Sequence, residues 1–295
     1  MKNLGVNIQE RNSILLIKGR GLQGLKEPDK VLDCGNSGTT MRLLTGVLSA
    51  QPFFSVLAGD HSLNQRPMRR VMEPMQLMGA ELQARQAGNY PPLAIKGGKL
   101  KGINYLSPVA SAQIKTAILL AGLNANGVTE ILEPEKSRDH SENMLAAMGA
   151  SIQVDGLGIQ LQPGQELSAL EFLVPGDISA AAFFLVAATI VPGSELKICD
   201  IGVNPTRTGI IEVLQQMGAN IKLENQRTIG GEMMADIIVT ASELKGVKIE
   251  GEIIPRLIDE VPVLAVAMAL AEGESEVKEA GELRIKETDR IAAIC

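Results

Sequence analysis

The segment LQQMGANI, Leu214 to Ile221, repeats a phrase met three times earlier in the chain: MKNLGVNI at Met1 to Ile8, MQLMGAEL at Met75 to Leu82, and LAAMGASI at Leu145 to Ile152. In each, an apolar residue, two variable positions and a second apolar residue lead into Gly, and a short stretch then reaches an aliphatic residue. The phrase reads as the end of an amphipathic helix, a glycine where φ must be positive, and a strand opening on aliphatic residues. Gly5, Gly79, Gly149 and Gly218 recur about every 70 residues, which predicts a repeated α/β unit.

The segments feeding these glycines carry helical stripes. Met68, Val71, Met72, Met75 and Met78 share one face, with Pro67 expected in the first turn and Pro74 expected to kink the run. Ile210, Ile211, Leu214 and Met217 form a second stripe. The run ISAAAFFLVAATI, Ile178 to Ile190, is apolar on almost every side, which predicts a helix buried all round. Strands are expected at Ile14–Ile17, Ile152–Val154, Glu195–Cys199, Ile237–Val239 and Val247–Ile249. The first glycine phrase is a helix tail alone, and Cys295 falls just inside a helix expected from Thr288. This reading therefore has the chain starting and stopping within repeat units.

Composition narrows the function. Of 295 residues, 45% are hydrophobic and 21% charged, as in a folded, soluble protein. A net charge of −6 argues against a general nucleic-acid binder, and 2% aromatic residues with no Trp leave little for base stacking. Cys34, Cys199 and Cys295 are odd in number and widely spaced, which fits a reducing cytosol rather than a disulfide framework. Two histidines, His61 and His140, make a His-based metal centre improbable. The N-terminal residues lack the apolar core of a signal peptide, and the longest apolar run is too short to span a membrane.

Five segments, the last of them a pair, have the residue types for chemistry, each at an expected strand-to-helix junction. GNSGTTMR, 35–42, presents Gly and Thr at a helix start, where exposed N–H groups suit an anion; an ordinary Ser-capped helix fits as well. SLNQRPMRR, 62–70, gathers Arg66, Arg69 and Arg70 near a helix start, either to meet an anionic partner or as a solvated basic face. PVASAQIK, 108–115, offers Ser111 and Gln113 at a helix start, as a hydroxyl or anion site or as a plain cap. EKSRDHSE, 135–142, holds Arg138 and His140 beside a capping-box pair, Asp139 and Glu142. RLIDEVP, 256–262, places Asp259 and Glu260 before an apolar helix, and RIKETDR, 284–290, packs Lys, Glu and Arg into one turn. That last combination serves phosphate binding with proton transfer, or simply a salt-bridged helix start.

Taken in order, LDCGNSGTTMRLL, RPMRRVMEPMQLMGA, ASAQIKTAILLAGL, SRDHSENML, NPTRTG and ELRIKETDRIAA resemble the 5-enolpyruvylshikimate-3-phosphate synthase family over essentially the whole chain. The related UDP-N-acetylglucosamine enolpyruvyl transferases share that fold but not these strings. The resemblance implies an α/β, two-domain enolpyruvyl transferase fold, an inverse α/β barrel of repeated units with buried helices. It divides the chain into residues 1–174 and 175–295, the first domain incomplete at its N-terminal unit and the second at its C-terminal end. It implies transfer of the enolpyruvyl group of phosphoenolpyruvate to the 5-hydroxyl of shikimate 3-phosphate, with release of phosphate, by a cytoplasmic monomer without metal or organic cofactor.

Residue by residue, the resemblance gives Asn36, Thr39 and Arg42 to the first anion loop. Gly38 and Arg66 go to phosphoenolpyruvate, with Arg290 pairing its charge. Ser111, Ala112 and Gln113 contact shikimate 3-phosphate, and Arg138 and Lys286 bind its 3-phosphate. Asp259 is the candidate base and Glu287 the candidate acid. The family's Gly-Asp-Lys-Ser segment and its later Arg and Lys have no counterpart in this sequence. The chain alone is therefore expected to turn over poorly, and the alternatives are a truncated, non-catalytic phosphate-ester binder or a UDP-N-acetylglucosamine enolpyruvyl transferase relative.

Overall fold

The computed structural model describes residues 1–285 and 288–295. They pack as two compact units: residues 1–136 with 145–170, and residues 137–144 with 171–295.

The first unit opens with a hairpin, β1 (Asn7–Arg11) and β2 (Ile14–Lys18), paired antiparallel. Next come β3 (Leu32–Asp33), α1 (Gly38–Ser49), β4 (Phe54–Ala58), α2 (Arg69–Met78), β5 (Glu81–Ala84), the short turn α3 (Arg85–Gly88) and β6 (Tyr90–Lys96). Their sheet has the order β3-β4-β6-β5, with β3 parallel to β4 and the other pairs antiparallel. Then β7 (Asn104–Leu106), α4 (Ala112–Gly122), β8 (Thr129–Leu132), α5 (His140–Ala147), β9 (Ile152–Asp155) and β10 (Gly158–Leu161) follow, with sheet order β7-β8-β10-β9. The two sheets repeat one topology: a parallel βαβ step, a second helix, the glycine, and an antiparallel pair that returns inside. The residues of α5 are divided between the units after Met144.

The second unit begins the same phrase again. Gly176 bridges Ile201 in parallel, standing where a first strand belongs, and α6 (Ile178–Ile190), β11 (Glu195–Gly202), α7 (Gly209–Gln216), β12 (Asn220–Ile229) and β13 (Glu232–Thr240) follow in the order β11-β13-β12. A fourth phrase starts with β14 (Lys248–Ile249), passes α8 (Ile253–Leu257) and α9 (Val261–Leu270), and pairs β15 (Glu276–Val277) parallel to β14. The short α10 (Arg290–Ile294) comes last.

The four glycines behave as the repeat requires. Gly5, Gly79, Gly149 and Gly218 have φ of 81°, 107°, 89° and 103°, a region L side chains avoid. All five expected strands are present. In the first unit the helices are interior: Met41, Leu48, Met72, Met75, Met78 and Ile118 are fully or almost fully buried. At Gly46 in α1 an added Cβ would lie 2.2 Å from the carbonyl oxygen of Ala117, so these two helices touch backbone to backbone. The thioethers fill the irregular gaps that so few aromatic residues leave.

Two expectations change. Helix α6 has the expected ends, but it is not buried all round: Phe183 and Phe184 are each 62% exposed, while Ala182, Leu185 and Val186 face the core. Val266 and Leu270 of α9 are exposed too, so part of this apolar surface has no covering element among the described residues. Pro67 precedes α2 instead of opening it, and Met68 is the N-cap. Pro67 directly follows Arg66, whose extended backbone ends a short 3-10 turn.

Candidate active site

In the first unit the chemistry gathers at the start of α1. Ser37 caps the helix by accepting from the Thr40 N–H at 3.1 Å, so the Ser-capped reading of this loop is right as far as it goes. The loop also receives side chains from distant segments. Arg42 Nη1 donates to Gln113 Oε1 at 2.9 Å, and Arg42 Nη2 to the Pro67 carbonyl at 3.2 Å. Gln113 Nε2 donates in turn to Thr39 Oγ1 at 2.7 Å. Arg66 Nη2 reaches Asn36 Oδ1 at 3.3 Å, and Asn36 Nδ2 donates to Asp60 Oδ2 at 2.6 Å.

Gly38 lies beneath this lattice. A Cβ there would sit 2.6 Å from Arg42 Nη1 and 3.4 Å from Arg66 Nη1, so both guanidinium groups cover the bare Cα. Burial, then the charges of Arg66 and Arg70, bring the Arg42 guanidinium down to about 10. A pocket in which like charges oppose one another is stabilised by a multivalent anion. Ser111 is the N-cap of α4 but makes no capping hydrogen bond with its side chain, and Ala112 is the first helical residue. Thus Asn36, Gly38, Thr39, Arg42, Arg66 and Gln113 come together as one cluster. Arg66 joins it from a loop, not from a helix N-terminus.

Beneath α4 lies an ion pair that the sequence did not reveal. Lys115 Nζ is 2.9 Å from Glu133 Oε2, with the side chains 2% and 3% exposed. It ties the first turn of α4, two residues beyond Gln113, to the segment following β8.

In the second unit Asp259 sits between two arginines. Arg138 Nη2 donates to its Oδ2 at 2.6 Å, and Arg290 Nη1 to its Oδ1 at 3.1 Å. The preceding loop brings Arg138 there from more than a hundred residues away. Lys286 and Glu287 lie outside the described residues. Helix α9 begins at Val261, directly after Asp259 and Glu260, with Pro262 in its first turn. Glu260, its N-cap, points inward, and burial pushes its carboxyl above the usual range.

His140 Nδ1 lies 2.9 Å from Glu232 Oε1. Asn204 Nδ2 donates to Asp139 Oδ1 at 2.7 Å and to Glu232 Oε2 at 3.3 Å. Burial alone raises the Glu232 carboxyl, but bonding and charge from His140, with Asn204 and Asn143, outweigh it and hold it low. Asp139 therefore serves this network as well as its own helix. Arg207, within the NPTRTG string and given no role from the sequence, donates to Asp177 Oδ1 at 3.2 Å and lies 3.7 Å from Glu260 Oε1. Among the described residues no group of three or more His, Cys, Asp or Glu is placed to hold a metal ion, and no helix is long and apolar enough to cross a membrane.

Comparison with known proteins gives the family and the fold. The sequence model of the EPSP synthase family (3-phosphoshikimate 1-carboxyvinyltransferase) matches residues 1–295. The 3-phosphoshikimate 1-carboxyvinyltransferase of Syntrophomonas wolfei is 65% identical over 294 residues, which are 100% of this chain and 69% of that protein. That of Geobacter metallireducens is 57% identical over 291 residues, 99% of this chain and 68% of that protein. The EPSP synthase structure from Acinetobacter baumannii superposes with a TM-score of 0.89 at 48% identity, over 99% of this chain and 66% of that one. The chain thus spans about two thirds of the length of these relatives. The enolpyruvyl transferase NikO from Streptomyces tendae, at 14% identity and a TM-score of 0.67, shares the fold.

Proposed function

Because the chain belongs to the EPSP synthase family, we propose that it transfers the enolpyruvyl group of phosphoenolpyruvate to the 5-hydroxyl of shikimate 3-phosphate and releases phosphate. The observation that carries this reading is the seat of Arg42 and Arg66 over Gly38. Two guanidinium groups, preset by Gln113, Pro67 and Asn36, suit a phosphate or carboxylate, and the missing side chain at Gly38 lets both of them close over its Cα.

In this reading Gly38 and Arg66 hold phosphoenolpyruvate, Asn36, Thr39 and Arg42 shape the anion loop, and Arg290 pairs the ligand's charge. Ser111, Ala112 and Gln113 contact shikimate 3-phosphate, and Arg138 and Lys286 bind its phosphate. The 5-hydroxyl oxygen attacks C2 while Asp259 takes the hydroxyl proton and Glu287 protonates C3. The tetrahedral adduct then expels phosphate as C3 returns a proton, which restores the double bond. Arg138 and Arg290 hold Asp259 in place for its part. We assign the protein to the cytosol; the free thiols of Cys34, Cys199 and Cys295 support a reducing compartment.

The test is phosphate release from purified chain supplied with both substrates, with UDP-N-acetylglucosamine as the control acceptor. Release that requires shikimate 3-phosphate supports the proposal. Calorimetric binding of shikimate 3-phosphate without any turnover favours the non-catalytic binding reading instead.

A further inference from the structure

We propose that Glu260 is the positioning residue for the Asp259 carboxylate, acting through a half-buried Ser179–Arg207 bridge that joins the N-terminal ends of α6 and α9. The proposal rests on the reading of Asp259 as the base. Asp259 and Glu260 are consecutive, yet they part company: the Asp259 side chain is 27% exposed between Arg138 and Arg290, whereas Glu260 is 1% exposed.

Glu260 is gripped at both ends. Its N–H donates to the Leu257 carbonyl at 2.9 Å, and its own carbonyl accepts from the Leu264 N–H at 2.9 Å. At the other end, its Oε1 accepts from the hydroxyl of Ser179, in the first turn of α6. Arg207 completes the bridge. Its Nη2 donates to Ser179 Oγ at 2.5 Å and to Asp177 Oδ1 at 3.2 Å, and lies 3.7 Å from Glu260 Oε1. Asp177 is itself the cap of α6, accepting from the Ser179 N–H at 3.0 Å.

Two further points argue against simple packing. A carboxylate in this interior is expensive compared with an apolar residue of the same volume, so a residue kept for packing alone would be Leu or Met. The Oε2 atom of Glu260 also has no hydrogen-bond partner among the described residues, an unmet demand rare in native interiors. The group instead fixes an azimuth. Consecutive side chains just ahead of a helix diverge, so clamping Glu260 toward α6 leaves Asp259 facing its arginines.

The experiment compares Glu260→Ala, Glu260→Gln and Ser179→Ala in the full chain. Its readouts are the kcat and KM of phosphate release and the Asp259 13Cγ resonance, assigned with Asp259→Asn. We expect Glu260→Ala and Ser179→Ala to lower kcat by roughly 10- to 100-fold with KM for both substrates within about twofold, since small misplacements of a catalytic group act on turnover. Both should move the Asp259 resonance, and Glu260→Gln, which keeps an acceptor for Ser179, should restore most of the loss. Should Glu260→Ala fail to fold, Ser179→Ala, lacking one hydroxyl, decides alone. Unchanged kcat and an unmoved Asp259 resonance in Ser179→Ala overturn the proposal. If the wild-type chain shows no turnover, the proposed function fails, and the resonance still decides the positioning role.

Discussion

Arginine does opposite work in the two units. Around Gly38, Arg42 is held by a neutral amide and a backbone carbonyl and is crowded by further cations. Around Asp259, Arg138 and Arg290 converge on one carboxylate. The first arrangement gathers guanidinium groups about one glycine, which is what a dianionic ligand needs. The second sets two cations against one carboxylate and holds that carboxylate in place. Residue type alone does not tell these roles apart; the partner does.

The largest effect should come from Asp259→Asn. Phosphate release should fall by about 10²–10⁴-fold if the carboxylate is the base. The two arginines released from it should bind a phosphate ester more tightly than in the wild type, measured by calorimetry. Retention of both the rate and the affinity would erase the contrast between the two regions.

Next in size is the ion pair beneath α4. Lys115→Met leaves Glu133 charged and buried, which should destabilise the first unit by about 3–5 kcal/mol. The double variant Lys115→Met with Glu133→Leu should regain most of that stability. Urea denaturation followed by circular dichroism reads both, and a double variant no more stable than the single one would show that the pair itself is not what matters.

A smaller effect is expected from Gly38→Ala. Its methyl would lie 2.6 Å from Arg42 Nη1, so the guanidinium must swing away from Gln113. Affinity for phosphoenolpyruvate should weaken by about tenfold, equivalent to about 1.4 kcal/mol. The Asp259 cluster should be unaffected, and its resonance unmoved.

The smallest effect belongs to a carboxylate outside both clusters. Asp236, in β13, accepts from Asn225 Nδ2 and from the Asp200 N–H and pairs with Lys197, which together lower it from 3.8 to about 2. A carboxyl lowered by folding adds stability above its unfolded value and loses that contribution as pH falls through the folded one. Asp236→Asn should therefore melt below the wild type at pH 7, with the gap closing between about pH 4 and pH 2. A gap that persists at pH 2 would trace to packing rather than charge.

Much of the fold was legible because its signals are local. A positive φ after a helix is a demand on one residue, and Gly5, Gly79, Gly149 and Gly218 answer it without reference to anything distant. Helix α6 was readable to its ends for the same reason: Asp177 caps it, and Val191-Pro192 closes it. Its exposure was not, since whether Phe183 meets a neighbour depends on what packs there, and periodicity carries no information about that. The anion loop and the Asp259 segment stood out by residue type, but their decisive bonds are long-range. Gln113 meets Arg42 from 71 positions away, and Arg138 meets Asp259 from 121. Glu260 was visible as a neighbour of Asp259, yet only the inward turn of its side chain, toward Ser179, gives it a task.

The four left-handed glycines also bear on what mutation can do to this protein. Most single-nucleotide changes in a glycine codon install a side chain that resists positive φ, while asparagine, well tolerated there, lies two changes away. A saturation library should accordingly show intolerant positions at 5, 79, 149 and 218, a barcode of the repeat written in failed variants and readable without any structure.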